Sequence, residues 1–477
     1  MKPTLTVSGY RGIWGDTLTL DVAREYTRAF GAYVAKRNGH TILVGRDGRE
    51  SGPAILEAVT NELLALGFDV VNLGMMPTPT VVFLVREMKA DGAIIITASH
   101  NPIEYNGLKF VTASGSFTNE AEVREIEASR GEAGSGVVAL SAKPRSRNNN
   151  EIHADQSDRS LEQSSTAATA PLPASPRDGT HLFELHLQKI LANIDVNLIQ
   201  KKNFKVALDP INSVGCTTTP KLLDALGVTY TIINGEPSGK FAHAPEPIAQ
   251  NLTTLETLVK IAHADIGFAQ DPDGDRLVLV DETGTMVSEE LMLALCVKAV
   301  LQKTRGDIAL NVVTSTTSEA IARSYGGTTW RSKVGEANVV EMMRAHDAVI
   351  GGEGSGGVIW PVVNMARDSF VGIALILELM ARLDKPISTL IAELPAFNMA
   401  KDKVARTGDL ADIYARLKNT FPEARALDID GLRLDLPDGS WVNIRPSNTE
   451  PIIRIFAEAT SKEQAQKLLA EAKQALS

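Results

Sequence analysis

Four short segments of the sequence crowd reactive side chains onto turn-forming residues. Thr97-Ala-Ser-His-Asn-Pro102 follows directly on the apolar run 92–96. A strand end that delivers Ser99 and His100 onto a sharp loop suits an exposed nucleophile. Ser, Asn and Pro are also ordinary turn formers, so alone this segment reads as a turn. Asp271-Pro-Asp-Gly-Asp-Arg276 says more. Three carboxylates at alternate positions repel one another unless a cation holds them, and hard oxygen donors suit Mg²⁺ or Ca²⁺. An acidic surface turn is the plain alternative. Against it, apolar runs at 265–269 and 277–280 place the loop at a strand edge, where sites form. A calcium-binding EF-hand requires Gly where Arg276 stands and helices on both flanks, so Mg²⁺ is the expected ion.

Gly351-Gly-Glu-Gly-Ser-Gly-Gly357 sets one carboxylate, Glu353, and one hydroxyl, Ser355, in a backbone free to approach a ligand closely. Both can hydrogen-bond vicinal sugar hydroxyls, although glycine richness alone is equally that of an empty flexible loop. Arg445-Pro-Ser-Asn-Thr-Glu-Pro451 gathers a guanidinium, the Ser447 and Thr449 hydroxyls and the Asn448 amide. Such a set forms an anion cradle, with bidentate arginine and neutral donors for phosphate oxygens. In isolation it reads as readily as a polar turn between strands.

The elements that must carry these segments repeat one plan three times. The run 41–45 leads through a helical 54–66 and Gly67 to a strand-like 68–73. The runs 204–208, 219–226 and 228–233 do the same around Gly227, and 307–313, 318–325 and 328–330 repeat it around Gly326 and Gly327. Short Val- and Ile-rich runs alternate with segments of helical period, and glycine closes each helix. Strand–helix–strand order implies parallel pairing with right-handed crossovers. The remainder differs. A helical 410–417, strands at 431–436, 441–445 and 452–458 with a Pro437-Asp-Gly turn, and a terminal amphipathic helix at 461–476 suggest a smaller α+β unit. Between about 131 and 180, Ser, Ala, Asn, Arg and Pro dominate, and such a composition predicts a disordered surface insert.

The 477 residues suffice for three or four compact units, and 44% hydrophobic with 22% charged residues is ordinary for a globular chain. A formal charge of −10 and a pI near 5.5 argue against nucleic-acid and membrane-surface partners. Cys216 and Cys296 show no metal-ligand spacing and read as two buried apolar side chains. The most apolar windows, 291–301 and 370–383, are interrupted by Lys298 and Glu378, and no secretory signal is visible. The cytoplasm is the expected compartment.

One segment per unit, in this order, resembles the α-D-phosphohexomutases. That family carries a serine loop T-A-S-H-N-P, a metal loop D-P-D-G-D-R, a sugar loop of the G-E-x-S-G type and a phosphate loop of the R-P-S-x-T-E-P type. The first two match letter for letter, and the resemblance covers nearly the whole chain apart from 131–180. It implies an α/β fold: three consecutive similar α/β domains with mixed sheets (1–130, 181–283 and 284–390) plus a smaller C-terminal α+β domain (391–477), around a central cleft. It further implies a phosphate on Ser99 and one Mg²⁺ held by that phosphate with Asp271, Asp273 and Asp275. Arg11, His100 and Lys109 resemble the basic set placed around this phosphate, Lys109 and Arg11 being the first candidates for general acid/base. Arg276, Lys333, Glu353, Ser355, Arg445, Ser447, Asn448 and Thr449 are the implied substrate contacts.

The implied reaction interconverts hexose 6-phosphate and hexose 1-phosphate through a hexose 1,6-bisphosphate, which also serves as activator, in a monomer or homodimer. Several branches of the family place His before the sugar loop, where this chain has Lys333-Val-Gly-Glu-Ala-Asn338. Together with Gly-Glu-Gly-Ser-Gly-Gly, that segment looks more like archaeal-type phosphoglucosamine mutases than phosphomannomutase/phosphoglucomutases. A Mg²⁺-dependent sugar phosphatase with an aspartyl nucleophile and a non-catalytic sugar-phosphate sensor are the readings from other classes. The first would release inorganic phosphate, and the second would have lost Ser99 or a carboxylate.

Overall fold

A computed structural model describes residues 4–133, 175–446 and 452–476. Most of the expected insert, 134–174, lies outside the described residues, as do Ser447, Asn448 and Thr449.

Three mixed sheets and one antiparallel sheet follow one another along the chain. In the first, the strand Thr41–Arg46 lies between the parallel strands Asp69–Met75 and Gly92–Ile96, and Gly92–Ile96 pairs antiparallel with Tyr105–Thr112. The second repeats this order. Lys205–Asp209 lies between Thr229–Ile232 and Ile266–Gln270, and the latter turns back into Leu277–Asp281. In the third, Ile308–Asn311 lies between Thr329–Ser332 and Ile350–Glu353, which pairs with Gly357–Ile359. The serine, aspartate and glycine loops therefore occupy one topological position: the turn joining the third parallel strand to its antiparallel neighbour. The glycines expected to end the helices do so in the left-handed region, Gly67 at φ 88°, Gly227 at 66° and Gly326 at 81°.

Each α/β sheet buries both faces. One face of all three contributes to a single continuous core running from Leu43 through Phe268 to Leu394. The opposite faces close three smaller cores, around Phe30, Val259 and Val340. The apolar windows noted in the sequence are helices of the shared core, Glu289–Lys303 and Ser369–Leu383. Among the described residues no helix is long and apolar enough to cross a membrane.

The last sheet is antiparallel throughout, in the order Asn398–Ala405, Ile452–Ala459, Trp441–Pro446, Leu432–Asp435, Arg425–Leu427, and its helices close a core of its own. Its two outer strands were not foreseen. Asn398–Ala405 carries Lys401-Asp402-Lys403 at its middle and buries only Ala400, so its pairing at eight positions with Ile452–Ala459 is a backbone matter that hydrophobic patterning does not reveal.

Candidate active site

Ser99 sits at the end of Gly92–Ile96 with a left-handed backbone, φ 51°. A serine holds that conformation only where its surroundings over-determine it. Here a buried ion pair supplies the constraint. Asp47, at the end of the central strand, accepts from Arg49 Nε (3.1 Å) and from Thr97 Oγ1 (2.7 Å), and Thr97 Oγ1 in turn accepts from Ser99 N–H (2.8 Å). The Arg49 guanidinium donates to the carbonyls of Ser99 and Asn101 (both 2.7 Å), Pro102 (2.7 Å) and Tyr105 (2.9 Å). Both partners are fully buried, so the loop is moulded around one arginine.

The serine hydroxyl donates to Asp271 Oδ2 at 3.0 Å, joining the first and second domains. Asp271, Asp273 and Asp275 are buried, with ligating oxygens all within 4.8 Å of one another. Gly274, at φ 70°, makes the turn that brings alternate carboxylates to one side. Burial and the charges of Asp275 and Asp273 push the Asp271 carboxyl well above its usual range. Burial would raise Asp273 too, but the Lys109 ammonium at 2.7 Å and the Thr78 hydroxyl at 2.7 Å outweigh it and hold that carboxyl low. Asp273 Oδ1 and Asp275 Oδ1 are buried without a hydrogen-bond partner. Two orphaned carboxylate oxygens beside a third acid and a hydroxyl fit a hard divalent cation such as Mg²⁺.

Basic groups surround this pair. Arg11 Nη1 donates to Asn101 Oδ1 at 2.7 Å, and burial together with neighbouring Arg276 and Arg367 lowers its pKa although Asp273 and Asp275 oppose. His100 Nδ1 lies 3.4 Å from Ser99 Oγ. Burial first, then the charges of Arg276, Arg11 and Arg367, push the imidazole down to about 2. His100 is therefore a neutral hydrogen-bonding group here rather than one of the cations.

Four family models match in succession: Phosphoglucomutase/phosphomannomutase alpha/beta/alpha domain I over residues 3–134, domain II over 184–284, domain III over 288–397 and the C-terminal domain over 399–475. A Thermococcus kodakarensis protein named "Phosphoglucomutase/phosphomannomutase" is 34% identical over 97% of this chain and 95% of its own length. The chain belongs to the phosphohexomutase family. A "Probable phosphoglucosamine mutase" of Methanopyrus kandleri is likewise 34% identical over 97% of this chain and 95% of its own length. A crystal structure of a phosphoglucomutase/phosphomannomutase family protein from Burkholderia thailandensis superposes with a TM-score of 0.83, at 27% identity, covering 100% of this chain and 97% of that one. Members of the family are named as mutases, a class of isomerase, and the fold expected from the four motifs is the one observed.

Not every predicted contact reaches the phosphohexomutase serine. Arg276 joins the cluster, with Nε 3.9 Å from Asp275 Oδ1. Glu353 joins through Arg367, whose Nη1 lies 2.9 Å from Glu353 Oε2 and whose Nη2 lies 2.6 Å from Asp275 Oδ2. Ser355 is half-buried on the glycine turn, and Lys333 is exposed beside the third sheet. Arg445 Nε approaches Asp430 Oδ2 at 3.3 Å, and Asp430 also accepts from Val334 N–H at 3.1 Å, which brings the last domain to the third domain's loop. The sequence reading missed Asp47, Arg49, Glu336 and Arg367. Asp47 and Arg49 lie in the charged run 46–50, Arg367 stands beside Asp368, and Glu336 falls in the segment ahead of the sugar loop, and none of these settings names a partner far along the chain.

Proposed function

We propose that this phosphohexomutase interconverts hexose 6-phosphate and hexose 1-phosphate by way of a phosphoserine at Ser99, with glucosamine phosphates as substrates. The contact between Ser99 Oγ and the buried Asp271–Asp273–Asp275 cluster carries this reading. Asp271, Asp273 and Asp275 would hold Mg²⁺, which supplies charge neutralisation to the transferring phosphoryl group. The sugar hydroxyl oxygen forms a bond to the phosphorus as the bond from phosphorus to Ser99 Oγ breaks. The hydroxyl proton leaves to a basic group, for which Arg11 and Lys109 are the candidates, the lowered pKa of Arg11 being the direction proton exchange needs.

The product of this half-reaction is a hexose 1,6-bisphosphate. After turning over, it returns its other phosphate to Ser99, and added bisphosphate restores any serine that has lost its phosphate. Glu353 and Ser355 hold hydroxyls common to both orientations, while Arg445 with Ser447, Asn448 and Thr449 grips the phosphate that is not reacting. The glucosamine preference rests on Lys333-Val-Gly-Glu-Ala-Asn338 and on the relatives named for that sugar. The relative named for glucose and mannose phosphates supports the second reading, a phosphomannomutase/phosphoglucomutase.

Incubation with the 1- and 6-phosphates of glucosamine, glucose and mannose, Mg²⁺ and a trace of hexose 1,6-bisphosphate ranks the sugars by kcat/KM. Release of inorganic phosphate without isomerisation would replace the mutase with a phosphatase.

A further inference from the structure

The segment 364–369, just ahead of the buried helix Ser369–Leu383, fastens all three α/β domains together. Asn364 Nδ2 donates to Pro79 O (2.7 Å), Asp368 Oδ2 meets His186 Nε2 (2.9 Å), and Ser369 Oγ donates to Gly274 O inside the aspartate loop (2.6 Å). At its centre the Arg367 guanidinium is shared among three carboxylates from separate places: Asp275 at 2.6 Å, Glu353 at 2.9 Å and Glu336 at 3.1 Å. It gets there through a gap. A Cβ on Gly357 would stand 2.2 Å from Arg367 Cδ and 2.7 Å from Cγ, so the bare glycine at the end of the sugar loop is the passage for this side chain.

We propose that Arg367 is a positioning residue that couples the cation site to the sugar contact, an inference that rests on the function proposed above. By holding Asp275 Oδ2, it turns the unpartnered Oδ1 toward the cation. By holding Glu353 Oε2 with the same planar fork, it fixes the carboxylate meant for the sugar. Tightening one end of such a clamp tightens the other, and the effect must be reciprocal.

Calorimetric titration of the full-length chain tests this in a Ser99→Ala background, which prevents turnover. Mn²⁺ is titrated first, then glucosamine 6-phosphate and glucose 6-phosphate with and without Mn²⁺. In the parent, Mn²⁺ should tighten sugar-phosphate binding by about fivefold or more. Arg367→Gln and Arg367→Lys should each weaken Mn²⁺ about tenfold and shrink the coupling below about twofold, because a lysine keeps the charge but not the fork. Gly357→Ala should reproduce both losses by displacing the arginine, and Gly357→Ala with Arg367→Gln should be no worse than Arg367→Gln alone. Mn²⁺ binding that is unchanged or tighter in Arg367→Gln overturns the inference, since the guanidinium would then be only a charge competing with the cation. So does a lowered melting temperature with the coupling intact. A parent that binds neither Mn²⁺ nor sugar phosphate sinks the functional reading itself, and the inference with it.

Discussion

The serine loop of the first domain and the glycine loop of the third occupy the same turn of the same topology, yet they are built in opposite ways. Around Ser99 the backbone is clamped from beneath, with Arg49 taking four carbonyls and Asp47 tying the arginine to Thr97. At 354–356 the backbone is held at fewer points, Gly354 N–H donating to Thr314 Oγ1 (3.0 Å) and the Gly356 carbonyl accepting from Leu277 N–H (2.9 Å). Its single acid is held from the sides by Arg367, Asn311 Nδ2 (2.9 Å) and Gly335 N–H (2.8 Å). The loop even needs the missing side chain of Gly354, because a Cβ there would lie 2.0 Å from Glu290 Oε2. A shared topology fixes where a loop stands. The contacts around it decide which side chain it presents, a hydroxyl in the first domain and a carboxylate in the third.

Replacing Ser99 with Ala breaks the first loop's chemistry without touching its brace. Turnover of every hexose phosphate should vanish and Mn²⁺ should bind more weakly for want of the serine's oxygen while the melting temperature persists, and a variant that retains mutase activity would refute the serine's role. Arg49→Met attacks the brace instead. It leaves Asp47 buried without its partner, which costs about 3–5 kcal/mol of stability by denaturant unfolding. It also frees the serine from its left-handed backbone, and a misplacement of about 1 Å is worth about a hundredfold in kcat. Full activity in a destabilised variant would show that the strain on Ser99 is incidental.

The smallest effect belongs beneath the third loop. Burial pushes the Glu290 carboxyl up to about 8, against Lys401 and the Ser315 N–H, which lower it. The folded chain thus keeps a proton that the unfolded chain releases near its ordinary value of 4.5, and stability must fall as pH rises from about 4.5 to 8. Glu290→Gln removes this contribution. Its melting temperature relative to the parent should improve from pH 5 to pH 8, and parallel curves would count against the raised carboxyl.

The four motifs were legible because their chemistry is packed into consecutive residues. The braces were not. Arg49 meets the carbonyl of Ser99 across 50 positions, and Arg367 meets Asp275 across 92, so each acquires meaning only when the sheets bring its partners together. Glycines at helix ends and Val- and Ile-rich strands declared the three α/β units, since burial of both sheet faces writes itself into the pattern. The polar outer strands of the last sheet left no such trace. His100, which the resemblance grouped with the basic residues, is pushed toward the neutral form first by burial and then by three arginines that arrive from elsewhere.

The division of the cores bears on how the molecule comes apart. The three α/β domains share one apolar interior, whereas the last domain closes its own and is fastened to the third by polar contacts: Arg433 to the Val312 carbonyl, Trp441 to the Thr316 hydroxyl, and Glu458 to the Thr316 N–H. Heat should therefore melt the last domain as a cooperative unit of its own, ahead of or behind a larger block that loses its three sheets together. Parting the same seam breaks these polar contacts and frees the buried Trp441 indole from Thr316, while the core on either side stays its own.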